Sequence, residues 1–240
     1  MKASGSTVDF LVHNAGWVGP IAPLESVKVD DVRKTFDINF FAPLALTQAL
    51  VPEMTKPGCR ILQVSSGAAL SAYPSWTAYC TSKAALQMLW KSCNVELGKL
   101  GILTGSVRPG IVATPMQGEI RGVDDGDFPM AEMFRNFHLS MEGTSKAAYD
   151  EHKIGVAESG AAPPKDALDT PENAAFFMQW LLLSTGADEF AAEEWDIREM
   201  DYMHRWAADV AAPGEDEAGP GTEGVANVAA AQAARGGGGE

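Results

Sequence analysis

The sequence predicts an α/β domain, a parallel sheet covered by helices on both faces. Short apolar runs carry the first part of that reading: VDFLV at 8 to 12, RILQV at 60 to 64 and ILTGSV at 102 to 107 have the continuous hydrophobicity of strands buried on both faces. Helical segments separate these runs, and strands alternating with helices imply right-handed crossovers in one sheet. With 240 residues, 46% hydrophobic and 21% charged, the chain is long enough for one domain with a substantial core.

VDFLV runs into the loop HNAGWVGP, the form of a strand that ends at a site. Residues 28 to 54 predict a helix, with Val32, Phe36, Phe40, Leu44, Leu46 and Leu50 near helical spacing and a stop at TKPG. RILQV ends in Ser65-Ser66, and TAYCTSKAALQMLWKSCNVEL at 77 to 97 has the alanine and leucine content of a strong helix. ILTGSV leads into RPG at 108 to 110. Between 115 and 168, Met116, Phe128, Met130, Met133, Phe134, Phe137 and Met141 lie among polar residues and glycines, which predicts a partly helical cover over an apolar pocket. Pro171 opens the helix PENAAFFMQWLLLS, and EEWDIRE at 193 to 199 is the last strand.

Residues 1 to 206 form the expected domain, and residues 207 to 240 an acidic tail rich in alanine and glycine. The tail lacks aromatics and carries six acids against one arginine, so it buries too little apolar area to offset chain entropy and is expected to be disordered. A net charge of −14 argues against nucleic-acid or anionic-membrane partners, which require basic patches. A small-molecule substrate fits better. Cys59, Cys80 and Cys93 are odd in number and lack CxxC spacing, so three buried thiols are expected rather than a disulfide framework or a zinc site. No apolar leader or run of membrane-spanning length occurs, which gives a cytoplasmic expectation.

The stretch SSGAALSAYPSWTAYCTSK at 65 to 83 holds the candidate chemistry. Tyr79 and Lys83 are four apart on a helix and share a face. An adjacent ammonium favours the phenolate, so the pair is expected to lower the tyrosine pKa and exchange a proton with an alcohol or carbonyl oxygen. Ser66, directly after a strand, can aim its hydroxyl at the same oxygen. The strands ending in Asn-Ala-Gly, Ser-Ser and Arg-Pro-Gly all finish at one carboxyl edge, where open α/β sheets bind ligands.

These motifs resemble the short-chain dehydrogenase/reductase family: HNAG at 13 to 16, Asn39 in FDINFFAPL, Ser66, Tyr79, Lys83 and RPGIVATPM at 108 to 116. Asn39 falls 27 residues before Ser66, in the register of the family's catalytic tetrad. The resemblance implies a Rossmann-like domain and NADP(H)-dependent reduction of a ketone or diketone. Tyr79 would be the general acid, and Ser66 would hold the substrate oxygen. Lys83 would hold the nicotinamide ribose, and Asn39 would fix a water that links Lys83 to solvent. Asn14, Ala15, Gly16, Pro109, Gly110, Val112 and Thr114 would contact the cofactor. His13 stands where asparagine is commoner in the family. The segments GCRILQVSSGAA and PSWTAYCTSKAALQML look most like sepiapterin reductase and benzil-reductase-like enzymes, which implies Glu199 as a substrate contact, while Trp76 and Met116 are expected to shape the substrate pocket. A homodimer through the helices carrying Asn39 and Tyr79 is also implied. No metal is needed.

The family's opening strand and glycine-rich, phosphate-binding turn have no counterpart here. The expectation is therefore an N-terminally truncated domain of about four strands with VDFLV at its edge. Either the sequence begins at an internal methionine of a longer enzyme, which the complete tetrad favours, or it is a remnant without cofactor binding. In the second case it would be a non-catalytic partner of a full-length relative.

Overall fold

The computed structural model describes residues 7–142, 169–199 and 205–206. The expected tail and the part of the apolar cover from 143 to 168 lie outside the described residues, as do the side chains of Phe137 and Met141.

Four strands, β1 (Phe10–His13), β2 (Arg60–Val64), β3 (Leu103–Arg108) and β4 (Glu194–Asp196), form one sheet in the order β1-β2-β3-β4. Every pairing is parallel. The expected fold class and strand count hold. β1 is an edge of this sheet and exposes Phe10 and Val12, so VDFLV is not buried on both faces as its composition suggested.

The segment from 28 to 54 is not one helix. It comprises α1 (Val29–Phe36), a π-helical turn over Asp37–Phe41, α2 (Ala42–Leu50) and a short 3-10 turn over Val51–Glu53. Asn39 sits in the π turn, the kind of local irregularity that an interior asparagine favours. Helix α3 (Thr77–Leu97) runs unbroken as its composition predicts. After β3 come α4 (Pro115–Arg121) and α5 (Ala131–Glu142), then α6 (Pro171–Ser184) and α7 (Ala187–Ala192).

Helix α6 starts where its sequence dictates. Thr170 accepts a hydrogen bond from the Asn173 amide at 3.1 Å, and Pro171 occupies the first turn, where its missing N–H costs nothing. Its far end is closed by Arg60 of β2, which donates to the carbonyls of Leu181 and Thr185 at 2.8 and 2.6 Å. Leu62, Val64, Val107 and Trp195 of the sheet pack against Phe177, Trp180 and Leu181 of α6 and Phe190 of α7. Burying each such side chain contributes about 1.5–3 kcal/mol. Gly105 is required here, since a Cβ at that position would lie 2.7 Å from Phe190 Cζ.

Strand alternation sends the intervening residues to the opposite face, under α1, α2 and α3. There Leu11 and Ile61 flank an apolar patch with Met54 and Ile102. One step nearer the carboxyl edge, His13, Gln63, Ser106 and Glu194 are mutually in register and make a polar row across all four strands. His13 Nε2 bonds Thr47 Oγ1 of α2 at 2.9 Å, and Ser106 Oγ donates to Glu194 Oε1 at 2.8 Å. Cys59 and Cys93 are buried as expected, but Cys80 is only partly so because it packs at the margin of the aromatic cluster beside Tyr79.

Candidate active site

The carboxyl edge of the sheet opens into a cavity of about 1080 Å³. Three chain segments deliver the candidate reactive groups to it. Ser66 leaves β2 in extended conformation and caps the short turn Gly67–Ala69, its Oγ accepting from the Ala68 amide at 3.2 Å. Tyr79 and Lys83 occupy one face of the first turns of α3, both more than nine-tenths buried. All three line the cavity.

Lys83 Nζ donates to the Val64 carbonyl at 2.9 Å and lies 5.8 Å from the centre of the Tyr79 ring. Burial lowers its pKa to about 8. The tyrosine departs from the sequence expectation. Burial raises the Tyr79 pKa, the contact with the Ser66 hydroxyl pulls only partly the other way, and the Cys80 thiol adds to the rise. Desolvation therefore outweighs the ammonium, which is engaged with a carbonyl and sits over the ring.

Asn39 is fully buried and does not line the cavity. Its amide nitrogen donates to the Trp17 carbonyl and to Ser82 Oγ, each at 2.9 Å, and its oxygen accepts from the Trp17 amide at 2.9 Å. The side chain thus ties the loop after β1 to the π turn and to α3. Gly16 in that loop approaches Lys83 so closely that a Cβ would be 3.4 Å from Nζ.

Of the expected cofactor contacts, Asn14, Gly16, Lys83, Pro109, Gly110, Val112 and Thr114 line the cavity. Ala15 does not; it is exposed on the loop after β1, between Asn14 and Gly16, which line the cavity. Gly110 has φ +77, a conformation that suits glycine and turns the chain after β3. These residues fit the nicotinamide and ribose part of a dinucleotide: bare backbone at Gly16 and Gly110, a hydroxyl at Thr114 and an ammonium at Lys83. No glycine-rich strand-to-helix turn for a pyrophosphate occurs among the described residues.

One wall of the cavity is aromatic. Trp76 stacks on Phe128 with ring centres 5.3 Å apart and meets Tyr79 edge-on at 5.5 Å, while Tyr73 lies 5.4 Å from Trp76. Trp76 and Met116 line the cavity as expected. Glu199 does not. It is exposed, because the turn closed by its amide on the Asp196 carbonyl swings it outward, and the neighbouring Arg198 lines the wall instead. Tyr73, Gln117 and Arg198 are wall residues the sequence reading did not single out; a cation two places after the last strand is the signal that could have marked Arg198.

The model of the short chain dehydrogenase family matches residues 1–124. The chain belongs to the short chain dehydrogenase family. An oxidoreductase of Schizosaccharomyces pombe is 42% identical over 114 residues, 48% of this chain and 45% of that protein. The (S)-benzoin-forming benzil reductase of Bacillus subtilis is 32% identical over 132 residues, 53% of this chain and 54% of that protein. The chain thus spans about half the length of these relatives. A short-chain dehydrogenase/reductase structure from Saccharomyces cerevisiae superposes with a TM-score of 0.66 at 26% identity, covering 87% of this chain and 70% of the other. Among the described residues, no helix is long and apolar enough to cross a membrane, and no cluster of His, Cys, Asp and Glu could hold a metal.

Proposed function

We propose that the chain carries the catalytic centre of an NADPH-dependent reductase that converts a ketone or diketone to an alcohol. The observation that carries the reading is the convergence of Ser66, Tyr79 and Lys83 on one cavity whose opposite wall suits a nicotinamide ribose. When bound, the nicotinamide supplies the hydride. Ser66 Oγ donates a hydrogen bond to the carbonyl oxygen as charge develops on it. Tyr79 then donates its proton to that oxygen.

The raised Tyr79 pKa supports the reductive direction, since a phenol that stays protonated at neutral pH is a general acid rather than a base. Lys83 positions a cofactor ribose from its anchor on the Val64 carbonyl, and Asn39 positions the loop that includes Gly16. The preference for the phosphorylated cofactor and for a diketone rests on the resemblance to sepiapterin and benzil reductases. Phe41 and Leu46, beside Asn39, and Met88 and Val95, on the helix of Tyr79, are exposed apolar side chains that support a homodimer through these helices.

An NADPH titration of the 240-residue chain, followed by a turnover assay on aryl ketones, tests the reading. Saturable binding and turnover that falls by about a hundredfold or more in Tyr79→Phe are the expected results. Turnover unaffected by Tyr79→Phe overturns the reading.

A further inference from the structure

At the rim of the cavity the fold fixes one cation that the proton-transfer chemistry does not use. Arg198 follows β4 in a turn that folds it back on Asp196. Its backbone amide and its Nε both donate to Asp196 Oδ1, at 3.0 and 2.9 Å, and Nη2 donates to Oδ2 at 2.6 Å. Such a two-armed pair sets the plane of the guanidinium as well as its place. Asp196 is itself held from the other side by Arg108 Nη1 at 3.4 Å, and its side chain is only 5% exposed. The aliphatic stem of Arg198 crosses Gly110, where a Cβ would lie 3.9 Å from Cδ.

These bonds occupy Nε and Nη2. Nη1 has no partner among the described residues, and the side chain is 47% exposed on the cavity wall. Tyr73 also lines this cavity, and from Tyr73 the aromatic wall runs through Trp76 to Tyr79. Ser66, Tyr79 and Arg198 thus line one and the same cavity.

We propose that Arg198 is a specificity-determining residue that donates from Nη1 to a second oxygen of a neutral dicarbonyl substrate, while Ser66 and Tyr79 hold the oxygen that is reduced. The role rests on the reductase reading given above. Local charge selects a neutral acceptor over a carboxylate. Arg108 and Arg198 face Glu194 and Asp196 in ion-pair contact, and Glu119 lies on the wall. Asp196, in contact with the guanidinium, already offsets the charge that would favour an anion, whereas a carbonyl oxygen needs only the free N–H donors.

The test compares two probes that differ by one oxygen, 1-phenylpropane-1,2-dione and propiophenone, on the 240-residue chain and its Arg198→Met and Arg198→Lys variants. Dissociation constants come from saturation-transfer NMR without cofactor, and turnover is measured separately with NADPH. The wild type is expected to prefer the dione, and Arg198→Met to weaken dione binding by about tenfold or more while leaving propiophenone within about twofold. Arg198→Lys keeps the charge beside Asp196 and hence the turn, but lacks the second arm; it is expected to lose the preference too, which carries the comparison should the Met variant fail to fold. Equal effects on both probes, no effect on either, or no binding of the dione by the wild type overturns the proposal. Tighter binding of phenylglyoxylate than of the dione overturns the choice of a neutral substrate. Arg198-dependent dione binding without turnover would end the reductase reading and leave the recognition role intact; turnover indifferent to Arg198 would do the reverse.

Discussion

The two faces of the sheet are built on opposite principles. Under α6 and α7 the strands present Leu62, Val64, Val107 and Trp195 to Phe177, Trp180 and Phe190, an almost wholly apolar contact. Under α1, α2 and α3 the alternate residues His13, Gln63, Ser106 and Glu194 form a polar row, and one step further Arg108 is in register with Asp196. Stability is concentrated on the first face, because apart from Arg60, whose guanidinium is hydrogen-bonded at the end of α6, burial there costs little desolvation of polar groups. The candidate reactive groups belong to the second, where α3 presents Tyr79 and Lys83 beside a scaffold of polar side chains. Polarity rises toward the carboxyl edge, from Leu11 and Ile61 through His13 and Gln63 to Arg108 and Asp196. The site is the end of that gradient.

The sharpest way to test this division is to remove a ring from the apolar face and a polar group from the other. Phe177→Ala removes a fully buried ring from the apolar face and should cost about 3–5 kcal/mol, read from urea unfolding. Gln63→Met on the polar face should cost less than about 1.5 kcal/mol, since neither amide atom of Gln63 has a partner among the described residues and the thioether nearly conserves volume. Equal losses would mean that the polar row is as much a core as its counterpart.

The next largest effect probes overpacking at one strand position. Gly105→Ala places a methyl 2.7 Å from Phe190 Cζ and should destabilise by about 1–3 kcal/mol, with its neighbour Trp195 giving the fluorescence readout of the disturbed packing. An unchanged urea midpoint would show that α7 yields, and that the apolar face is softer than its close packing implies.

Much of this organisation was legible in the sequence. Helix α3 and strand β2 fall where composition and spacing put them, because a long run of good helix formers and a short apolar run between turn signals are unambiguous. The tetrad register brought Ser66, Tyr79 and Lys83 to one cavity. What escaped depends on three-dimensional neighbours. Apolar spacing over 28 to 54 cannot report that Asn39 opens a π turn to reach Trp17 and Ser82. Glu199 lies off the cavity and Arg198 on its wall because a turn, not strand alternation, decides which side chain returns to the wall. Spacing put Lys83 beside Tyr79, but the sign of the pKa shift was set by how deeply both are buried, a property of the packed site.

The smallest effect is a pH dependence that belongs to the polar face. Burial lowers the His13 pKa from 6.5 to about 4. Between those values the unfolded chain binds a proton that the folded chain excludes, so stability contributed by neutral His13 is present above pH 6.5 and is lost as pH falls toward 4. Asp196 titrates in a separate window: burial opposes its ionisation, but the bonds from Arg198 and the charge of Arg108 prevail and keep its pKa below 3.8, so its share is lost at more acid pH. His13→Asn, which keeps a polar side chain facing Thr47 but cannot titrate, should flatten the decline in urea midpoint between pH 7 and 4.5 while leaving the decline below pH 3.8 in place. A variant that loses stability as steeply as the wild type over the upper window would place the acid sensitivity on another group. It would also remove His13 from the set of residues through which the polar face trades stability for its hydrogen-bonded order.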